Sequence, residues 1–492
     1  DRAAIRYCAL VREQMGDIPL IIGGAEASLR RFAHYDYWSG KVRRSILQDS
    51  LADILVYGMG EIPLLEIAAL LAKGVSVKKI NSIRGTCVLA RPENLPTRCS
   101  EFLEQNKAFE LCGETRSASE LKGDILPENR DYILLPSYEE TARDKNTYAV
   151  AFRYQNHEQD PAGGKTLLQR HSGRYLVQNP PQRPMTASEM DRSYDLPYER
   201  QPHPFYRDAG GVPAIEEVRF SINSHRGCFG GCHFCAITFH QGRIVQRRSS
   251  ESILREARLI TELPDFKGYI HDVGGPTANF FQPACDRQRA GSVCKSRQCL
   301  FPESCPQLAA DHGDYLELLR QIRQLPGVKK VFIRSGLRFD YLMLDQTHDF
   351  LTELCLHHIS GQLKVAPEHV SRRTLQAMGK PPPEIYRTFR QRYEQINAKL
   401  GKRQFLVPYL ISGHPGCDLA DAIELAQHIK ASRVMPEQVQ DFYPTPGTVS
   451  TTMYHTGLDP LSMEPVHVPD SYEKTLQRAL LQFGKPDNRE RV

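Results

Sequence analysis

The chain lacks any apolar run long enough to cross a bilayer, so its sequence predicts no transmembrane helix and no membrane partner. A recognisable secretory signal is also lacking, and a cytoplasmic location is therefore expected. The chain opens on Asp1 and runs directly into a helical pattern, which leads us to expect further natural sequence upstream. Strong charge of one sign is missing as well. The net charge of +5 is too small to indicate nucleic-acid binding by itself.

Tryptophan is nearly absent, with one residue in 492, whereas 13 cysteines are present and unevenly spaced. Three lie within residues 228–235 and four within residues 285–305. Because no secretory signal accompanies them, these two groups indicate metal binding rather than disulfides. The other cysteines lie singly and are expected to be small buried apolar residues: Cys8, Cys87, Cys99, Cys112, Cys355 and Cys417.

The first 214 residues divide into two regions by pattern. Residues 1–95 alternate helical segments with short apolar runs that end in glycine, such as IPLIIGG and LADILVYGMGE, and this predicts a doubly wound, Rossmann-like α/β domain. Residues 96–214 are polar and rich in proline. They are interpreted as a connecting or insert region laid over its neighbours. Arginines 30, 31, 43 and 44, around the only tryptophan, are interpreted as a solvated face, with an anion contact as the alternative.

Residues 215–450 show a regular βα rhythm with six predicted strands. Six strands are too few for a closed eight-stranded barrel, so an open, partial (βα)6 barrel is predicted. The chemistry of such barrels lies at the carboxyl ends of the strands. A cysteine-rich insertion is placed at 281–310 and a C-terminal extension at 451–492. The six strand segments are EVRFSI, GYIHDVGG, KKVFIRSG, GQLKVAPEH, FLVPYLISGHPG and EQVQDFYPTPG.

The first cysteine group, Cys228, Cys232 and Cys235, lies in the glycine-bearing loop CFGGCHFC directly after the first of these strands. Thiolates suit zinc or iron–sulfur clusters. Zinc would need a fourth ligand, for which His225 or His233 is available. A 4Fe–4S cluster on three cysteines instead leaves one iron open for a ligand. The spacing favours the cluster and leaves zinc as the alternative.

This loop resembles the three-cysteine motif of radical S-adenosylmethionine enzymes. The segments SHRGCFGGCHFCAITFHQGR, IHDVGGPTAN, LKVAPEH, VPYLISGHPG and GGAEASLRRFAHYDYWS resemble the YgiQ family of that superfamily over nearly the whole chain. The resemblance implies a 4Fe–4S cluster on the three cysteines, S-adenosylmethionine on its open iron, and an electron donor such as flavodoxin or ferredoxin. The 5′-deoxyadenosyl radical so formed would act on a substrate that the sequence does not identify.

The resemblance also implies a set of S-adenosylmethionine contacts at the strand ends. In GGPT, Pro276 stands where the family pattern usually has an acid. Arg334 would meet the methionine carboxylate, or else form a structural pair with a nearby acid. Glu368 and its neighbour His369 suit ribose contacts or a structural pair equally well. The predicted contact residues are Gly274, Gly275, Thr277, Arg334, Ser335, Glu368 and Gly413.

The second group consists of Cys285, Cys294, Cys299 and Cys305, whose irregular spacing lacks paired C-x2-C knuckles. An auxiliary iron–sulfur cluster, a structural zinc and unligated thiols are the three interpretations. The N-terminal domain is similar to cobalamin-binding domains but lacks the Asp-x-His-x-x-Gly signature, and is expected not to need cobalamin. Two alternative functions stay open: a methyl- or methylthiotransferase acting on RNA or protein, using an auxiliary cluster or cobalamin, and a non-catalytic zinc-bearing binding module.

Overall fold

The computed structural model of the protein describes residues 2–107, 126–346, 349–432 and 439–489, with residues 109 and 436. Cys112 lies outside these residues. The described part of the N-terminal half has eight strands and the helices given below. The strands are β1 (Ile21–Ile22), β2 (His34–Asp36), β3 (Lys41–Arg43), β4 (Ile54–Val56), β5 (Thr86–Ala90), β6 (Tyr132–Leu134), β7 (Thr166–His171) and β8 (Arg174–Gln178). The helices are Ala3–Met15, Gly24–Leu29, Ile46–Ser50, Glu61–Ala72, Thr97–Gln105, Tyr138–Arg143, Lys145–His157 and Ala187–Tyr194.

Six of these strands form one mixed sheet in the order β1-β4-β5-β8-β7-β6. β1 pairs with β4, and β6 with β7, in parallel, whereas β5 and β8 run antiparallel to their neighbours. The sheet therefore joins strands from both sides of residue 95, where the sequence pattern placed a domain boundary. Residues 132–178 complete the N-terminal sheet instead of lying over it. The reason is that long-range pairing of short apolar segments leaves little periodic signal in a sequence.

The C-terminal half follows the predicted βα rhythm. Its strands are β9 (Ser221–Asn223), β10 (His225–Arg226), β11 (Gln246–Arg247), β12 (Tyr269–Ile270), β13 (Asp272–Gly274), β14 (Lys330–Val331), β15 (Gln362–Glu368), β16 (Phe405–Ser412) and β17 (Gln440–Asp441). Its main helices are Pro213–Val218, Ile237–Gln241, Ser250–Thr261, Gly313–Arg323, Phe339–Met343, Asp349–Glu353, Arg372–Ala377, Pro383–Leu400, Leu419–Ser432, Val449–Thr456 and Ser471–Leu481.

Neighbouring strands of this half pair in parallel and in chain order. β9 pairs with β13, β12 with β14, β15 with β16, and β16 with β17. A parallel bridge between Leu337 and Val365 links the third strand segment to β15. The carboxyl ends of the strands consequently lie along one edge, and the cysteine loop follows β10 at that edge. β10 itself pairs antiparallel with β11.

Amphipathic helices cover the outside of these strands. Ser250–Thr261 is capped by Ser249, whose hydroxyl accepts from the Ser252 amide, and it buries Ile253, Ala257 and Ile260. Together with the apolar faces of the strands and of Gly313–Arg323 they form the main core of this half. The predicted first strand, EVRFSI, is shorter than expected because a proline-initiated helix takes up its first residues. No helix among the described residues is both long and apolar enough to cross a membrane.

Candidate functional site

The three-cysteine loop is folded tightly by its glycines. Gly227 has φ +83°, and a Cβ there would collide with the backbone oxygen of Ile244. A Cβ at Gly230 would lie 2.6 Å from Arg338 Nη1 and 3.3 Å from Cys228 Sγ. Glycine avoids a collision with the Ile244 backbone at position 227 and with the buried Arg338 guanidinium at position 230. The loop thereby presents its cysteines in one small region at the carboxyl edge of the strands.

The three thiols lie within electrostatic range of one another. Burial raises the pKa of Cys228, and the charge of Cys232 raises it further. Burial also raises the pKa of Cys235 to about 12, with added contributions from Cys232 and Cys228. As the side chains stand, no group of three or more His, Cys, Asp or Glu residues within the described ranges is gathered at metal-ligand spacing. Three partly buried thiols, once ionised, would repel one another, so a positively charged metal centre among them fits the chemistry of this donor set.

His225 and His233, the two candidate fourth ligands for zinc, both have partners at each ring nitrogen. His225 Nε2 lies 3.0 Å from the Thr277 carbonyl oxygen and its Nδ1 lies 2.9 Å from Ser224 Oγ. His233 Nδ1 lies 3.0 Å from the Ala377 carbonyl oxygen, and its Nε2 lies 2.8 Å from Gln298 Nε2. Burial lowers the pKa of His225 to about 4. Both rings are therefore neutral structural residues with no free nitrogen to give a metal.

A buried arginine lies beside the cysteine loop. Arg338 Nη1 is 3.2 Å from Cys232 Sγ and 3.3 Å from the Gly230 carbonyl oxygen, and Arg338 pairs with Asp340 through contacts of 2.8 and 2.5 Å. Burial lowers the Arg338 pKa, but Asp340 and Cys232 raise it above its ordinary value. The guanidinium thus stays charged next to the Cys232 thiol. Sequence reasoning missed it because it follows the strand end, although Arg-x-Asp after a glycine turn is a usable signal.

The GGPT turn at the end of β13 lies against the same loop. A Cβ at Gly275 would lie 2.6 Å from His225 Nε2, so only glycine fits there. Thr277 Oγ1 lies 3.6 Å from Cys228 Sγ. Two of the predicted contact residues are therefore placed within a few ångströms of the cysteine loop.

At the end of the next strand, the side chains of the consecutive residues Arg334 and Ser335 point in different directions. The Arg334 guanidinium points outward and pairs with Glu217 at 3.5 Å, both side chains being largely exposed. Ser335 instead turns inward, where a Cβ on Gly274 would lie 2.6 Å from its Oγ. Asp272, which sequence reasoning also missed, holds this turn by accepting from the Arg334 and Ser335 amides at 2.8 and 3.1 Å. The structural alternative for Arg334 is the one the geometry favours.

Glu368 occupies an unusual position at the end of β15. It is buried, has φ +68°, and follows a register irregularity between Val365 and Glu368. Burial raises its pKa, whereas Lys380 and Arg338 act to lower it. Lys380 Nζ lies 3.8 Å from Glu368 Oε1. A left-handed conformation in a non-glycine residue is costly and is found mainly where function or tight surroundings impose it.

The last two predicted strand-end positions are packed against protein. Gly413 has φ +69°, and its amide donates to Gln477 Oε1 at 3.0 Å, so the C-terminal helix covers it. His369 Nδ1 accepts from the Ser371 amide at 3.0 Å, and its Nε2 lies 3.6 Å from Cys417 Sγ. These contacts are structural.

The second cysteine group lies directly beside the first. Burial raises the pKa of Cys299 to about 11, and the charges of Cys285, Cys305 and Cys294 contribute to that rise. Cys299 and Cys228 pack against one apolar cluster, whose buried members are Phe229, Val245, Phe280, Ala284, Leu300 and Tyr341. Within it the rings of Phe229 and Phe280 stack with centroids 3.7 Å apart.

The glycine-ended edge of the N-terminal sheet faces the helix that follows the cysteine loop, and it is filled by protein. Arg31, expected at a solvated face, is instead fully buried. Its guanidinium lies 3.8 Å above the Phe239 ring and 4.6 Å from the Tyr57 ring, and Nε donates to Gln178 at 2.5 Å. Burial lowers the Arg31 pKa to about 10. The cavity left at this edge measures about 60 Å³, whereas ligand pockets usually measure roughly 300–1,000 Å³. These residues do not fit a large corrin cofactor.

Comparison with solved structures gives low similarity. The chain aligns with the radical S-adenosylmethionine methyltransferase TsrM from Kitasatospora setae at 14% identity and a TM-score of 0.41, covering 90% of this chain and 59% of that one. It aligns with the cobalamin-dependent S-adenosylmethionine radical enzyme OxsB at 13% identity and a TM-score of 0.34, covering 87% of this chain and 50% of that one. TM-scores below 0.5 are too low to support a functional comparison.

Sequence comparison is far more specific. A family profile described as "Radical SAM N-terminal" matches residues 1–221, and one described as "Domain of unknown function (DUF3362)" matches residues 437–492. A UPF0313 protein of Clostridium botulinum strain 657 is 55% identical over 489 residues, covering 99% of this chain and 71% of the relative. A UPF0313 protein of Clostridium perfringens strain 13 is 53% identical over 490 residues, covering 99% and 69%. The chain therefore belongs to the UPF0313 family, the YgiQ-type radical S-adenosylmethionine proteins.

Proposed function

We propose that this protein is a radical S-adenosylmethionine enzyme whose cluster is held by Cys228, Cys232 and Cys235. The observation that carries the proposal is the three-thiol loop at the carboxyl edge of parallel strands, where His225 and His233, the two candidate fourth ligands for zinc, have both ring nitrogens engaged by protein. When bound, a 4Fe–4S cluster would supply the electron that cleaves S-adenosylmethionine into methionine and a 5′-deoxyadenosyl radical. We further propose that the parallel strands form the predicted partial six-stranded barrel.

The chain's own residues would orient the cofactor and control charge at the site. Arg338 keeps a positive charge next to Cys232, which favours the thiolate form that a metal ligand needs. Thr277 brings the GGPT turn close to Cys228, and a backbone carbonyl of this turn would hold the methionine amino group. Glu368, buried and conformationally strained, is the remaining polar group suited to a ribose hydroxyl.

Water exclusion comes from the aromatic residues of the loop and its neighbours. Phe229 is fully buried against Phe280, and Phe234 lies edge-on to His414 with ring centroids 6.1 Å apart. Such a dry site protects a reactive radical from side reactions. We include no cobalamin step, because Arg31 and Phe239 fill the edge of the N-terminal sheet where one would be expected.

The proposal is tested by anaerobic reconstitution with iron and sulfide, followed by dithionite and S-adenosylmethionine. The wild-type protein should release 5′-deoxyadenosine and methionine. A Cys228→Ala, Cys232→Ala, Cys235→Ala variant should release neither, while Cys8→Ala, which removes a buried thiol of the N-terminal domain, should behave as the wild type. A fully reconstituted wild-type sample that leaves S-adenosylmethionine intact would refute the assignment.

A further inference from the structure

The insertion that carries the second cysteine group is a built loop with closed ends. The Cys305 amide donates to the Cys299 carbonyl oxygen at 2.8 Å, and the Ala309 amide donates to the Ala284 carbonyl oxygen at 2.8 Å. The second bond brings Cys285, next in the chain to Ala284, to the base where the loop closes. Two remote stretches of the insertion are therefore held side by side by backbone hydrogen bonds.

Two polar side chains, the buried Gln288 and the partly exposed Arg243, hold the loop in place. Gln288 is 3% exposed. Its side-chain Oε1 accepts from the Ala284 amide at 3.0 Å, and its Nε2 lies 3.7 Å from Cys299 Sγ. Arg243 donates to the carbonyl oxygens of Cys294 and Arg297, both at 2.7 Å. The loop's conformation around its cysteines is thus fixed by groups outside the cysteines themselves.

The N-terminal half anchors the same loop from the other side. Asp160 accepts from the Val293 amide at 3.0 Å and from Ser292 Oγ at 3.2 Å. Lys295 pairs with the buried Glu158 at 2.7 Å. Cys294 is held between these anchors, which lie on residues 292, 293 and 295.

We propose that Cys285, Cys294, Cys299 and Cys305 bind a second metal centre through four thiolates, separate from the three-cysteine loop. Four thiolates form a closed tetrahedral set for zinc or for an iron–sulfur cluster, and the shared chemistry is a thiophilic metal. The side chains do not yet stand at ligand spacing, so metal binding draws them together and its free energy tightens the loop.

The second centre would also stabilise the three-cysteine loop, through the residues of the insertion that contact it. Gln298 lies between Cys294 and Cys299, and its Nε2 is 2.8 Å from His233 Nε2. The ring of Phe301 meets the His233 ring edge-on at 5.4 Å between centroids. His233 is the residue directly after Cys232, so a loop tightened by metal fixes the three-cysteine loop. This supporting role rests on the proposed function; the metal site itself does not.

The test isolates each site by substitution. The Cys228→Ala, Cys232→Ala, Cys235→Ala variant retains only the second group, and a Cys285→Ala, Cys294→Ala, Cys299→Ala, Cys305→Ala variant retains only the first. Each is incubated anaerobically with zinc alone, or with iron and sulfide, then desalted and analysed for metal and sulfide beside the Cys8→Ala control. Circular dichroism checks that each variant is folded.

The first variant should retain about one zinc, or about four iron with matching sulfide, per chain. Either result supports the site and names its metal. A folded first variant that retains neither metal overturns it. If that variant does not fold, equal metal contents in the wild type and the second variant overturn it, and a deficit in the second variant supports it. If the reconstituted wild type forms no 5′-deoxyadenosine, that result refutes the proposed function and leaves the second metal site unaffected.

Discussion

Removing the guanidinium of Arg338 should damage both the fold and the proposed iron site. Arg338 and Asp340 are 6% and 4% exposed, and they form a bidentate pair. Substituting Arg338→Met leaves the Asp340 carboxylate buried without its partner, which costs about 3–5 kcal/mol of unfolding free energy. It also removes the cation 3.2 Å from Cys232 Sγ. The iron retained after reconstitution and desalting should fall well below the wild-type amount.

Arg334→Met is the matched control, because the sequence pattern assigned the cation to that position. Its pair with Glu217 is exposed, so the expected change in unfolding free energy is about 0–1 kcal/mol. Iron retention and 5′-deoxyadenosine formation should stay near wild type. Urea unfolding and iron analysis of both variants, with the Arg338→Met, Asp340→Asn double variant, decide the matter. The double variant should be less destabilised than the two single effects summed. If Arg334→Met lowers the unfolding free energy and the iron retention as much as Arg338→Met does, the assignment of Arg338 as the cation beside Cys232 is refuted.

Three further predictions use the same preparations. Gly227→Ala should lower the melting temperature and iron content more than Gly242→Ala, because both glycines have φ near +84° but only Gly227 would press a Cβ on backbone; equal effects would contradict this. Burial lowers the pKa of His171 to about 4. Between pH 6.5 and 4 the His171 ring is therefore protonated in the unfolded chain but not in the folded one, and the free energy of unfolding decreases as the pH is lowered through this range. In urea titrations, His171→Gln should reduce the decrease in unfolding free energy between pH 7 and pH 5 by about 2 kcal/mol. An unchanged pH dependence would count against this role of His171. Desalted protein incubated with hydroxocobalamin should show no corrin absorbance; stoichiometric retention would show that the edge at Arg31 opens.

Sequence pattern located the C-terminal half well because its signals are local. The cysteine loop and the glycine turns lie next to each other in the chain or at successive strand ends, and strand order follows chain order. The N-terminal sheet was harder. β5 pairs with β8 across about ninety residues, as in the Cys87 to Gln178 pair, and no periodicity in either segment encodes that partner. Short strands within polar sequence therefore appeared to be a connecting region.

The site residues divide in the same way. The glycine turns at the strand ends are visible in the sequence, whereas the role of Gly274, Gly275 and Gly413 as cofactor contacts stays a prediction. The partners of the charged residues could not be predicted, because nothing in the sequence distinguishes Arg338 from Arg334. In the structure Arg338 is buried beside Asp340, whereas Arg334 is exposed beside Glu217. Arg31 is the same case: its stacking on Phe239 joins residues more than two hundred positions apart.

The central claim is that three thiols leave one iron of a cluster open to S-adenosylmethionine. The most direct measurement is the electron paramagnetic resonance spectrum of the reduced, reconstituted protein with and without S-adenosylmethionine, taken on the variant lacking Cys285, Cys294, Cys299 and Cys305, so that only the first site contributes. We predict a 4Fe–4S signal whose g-values shift when S-adenosylmethionine is added. A cluster signal that S-adenosylmethionine leaves unchanged, or a site that holds zinc and no iron, would contradict the account.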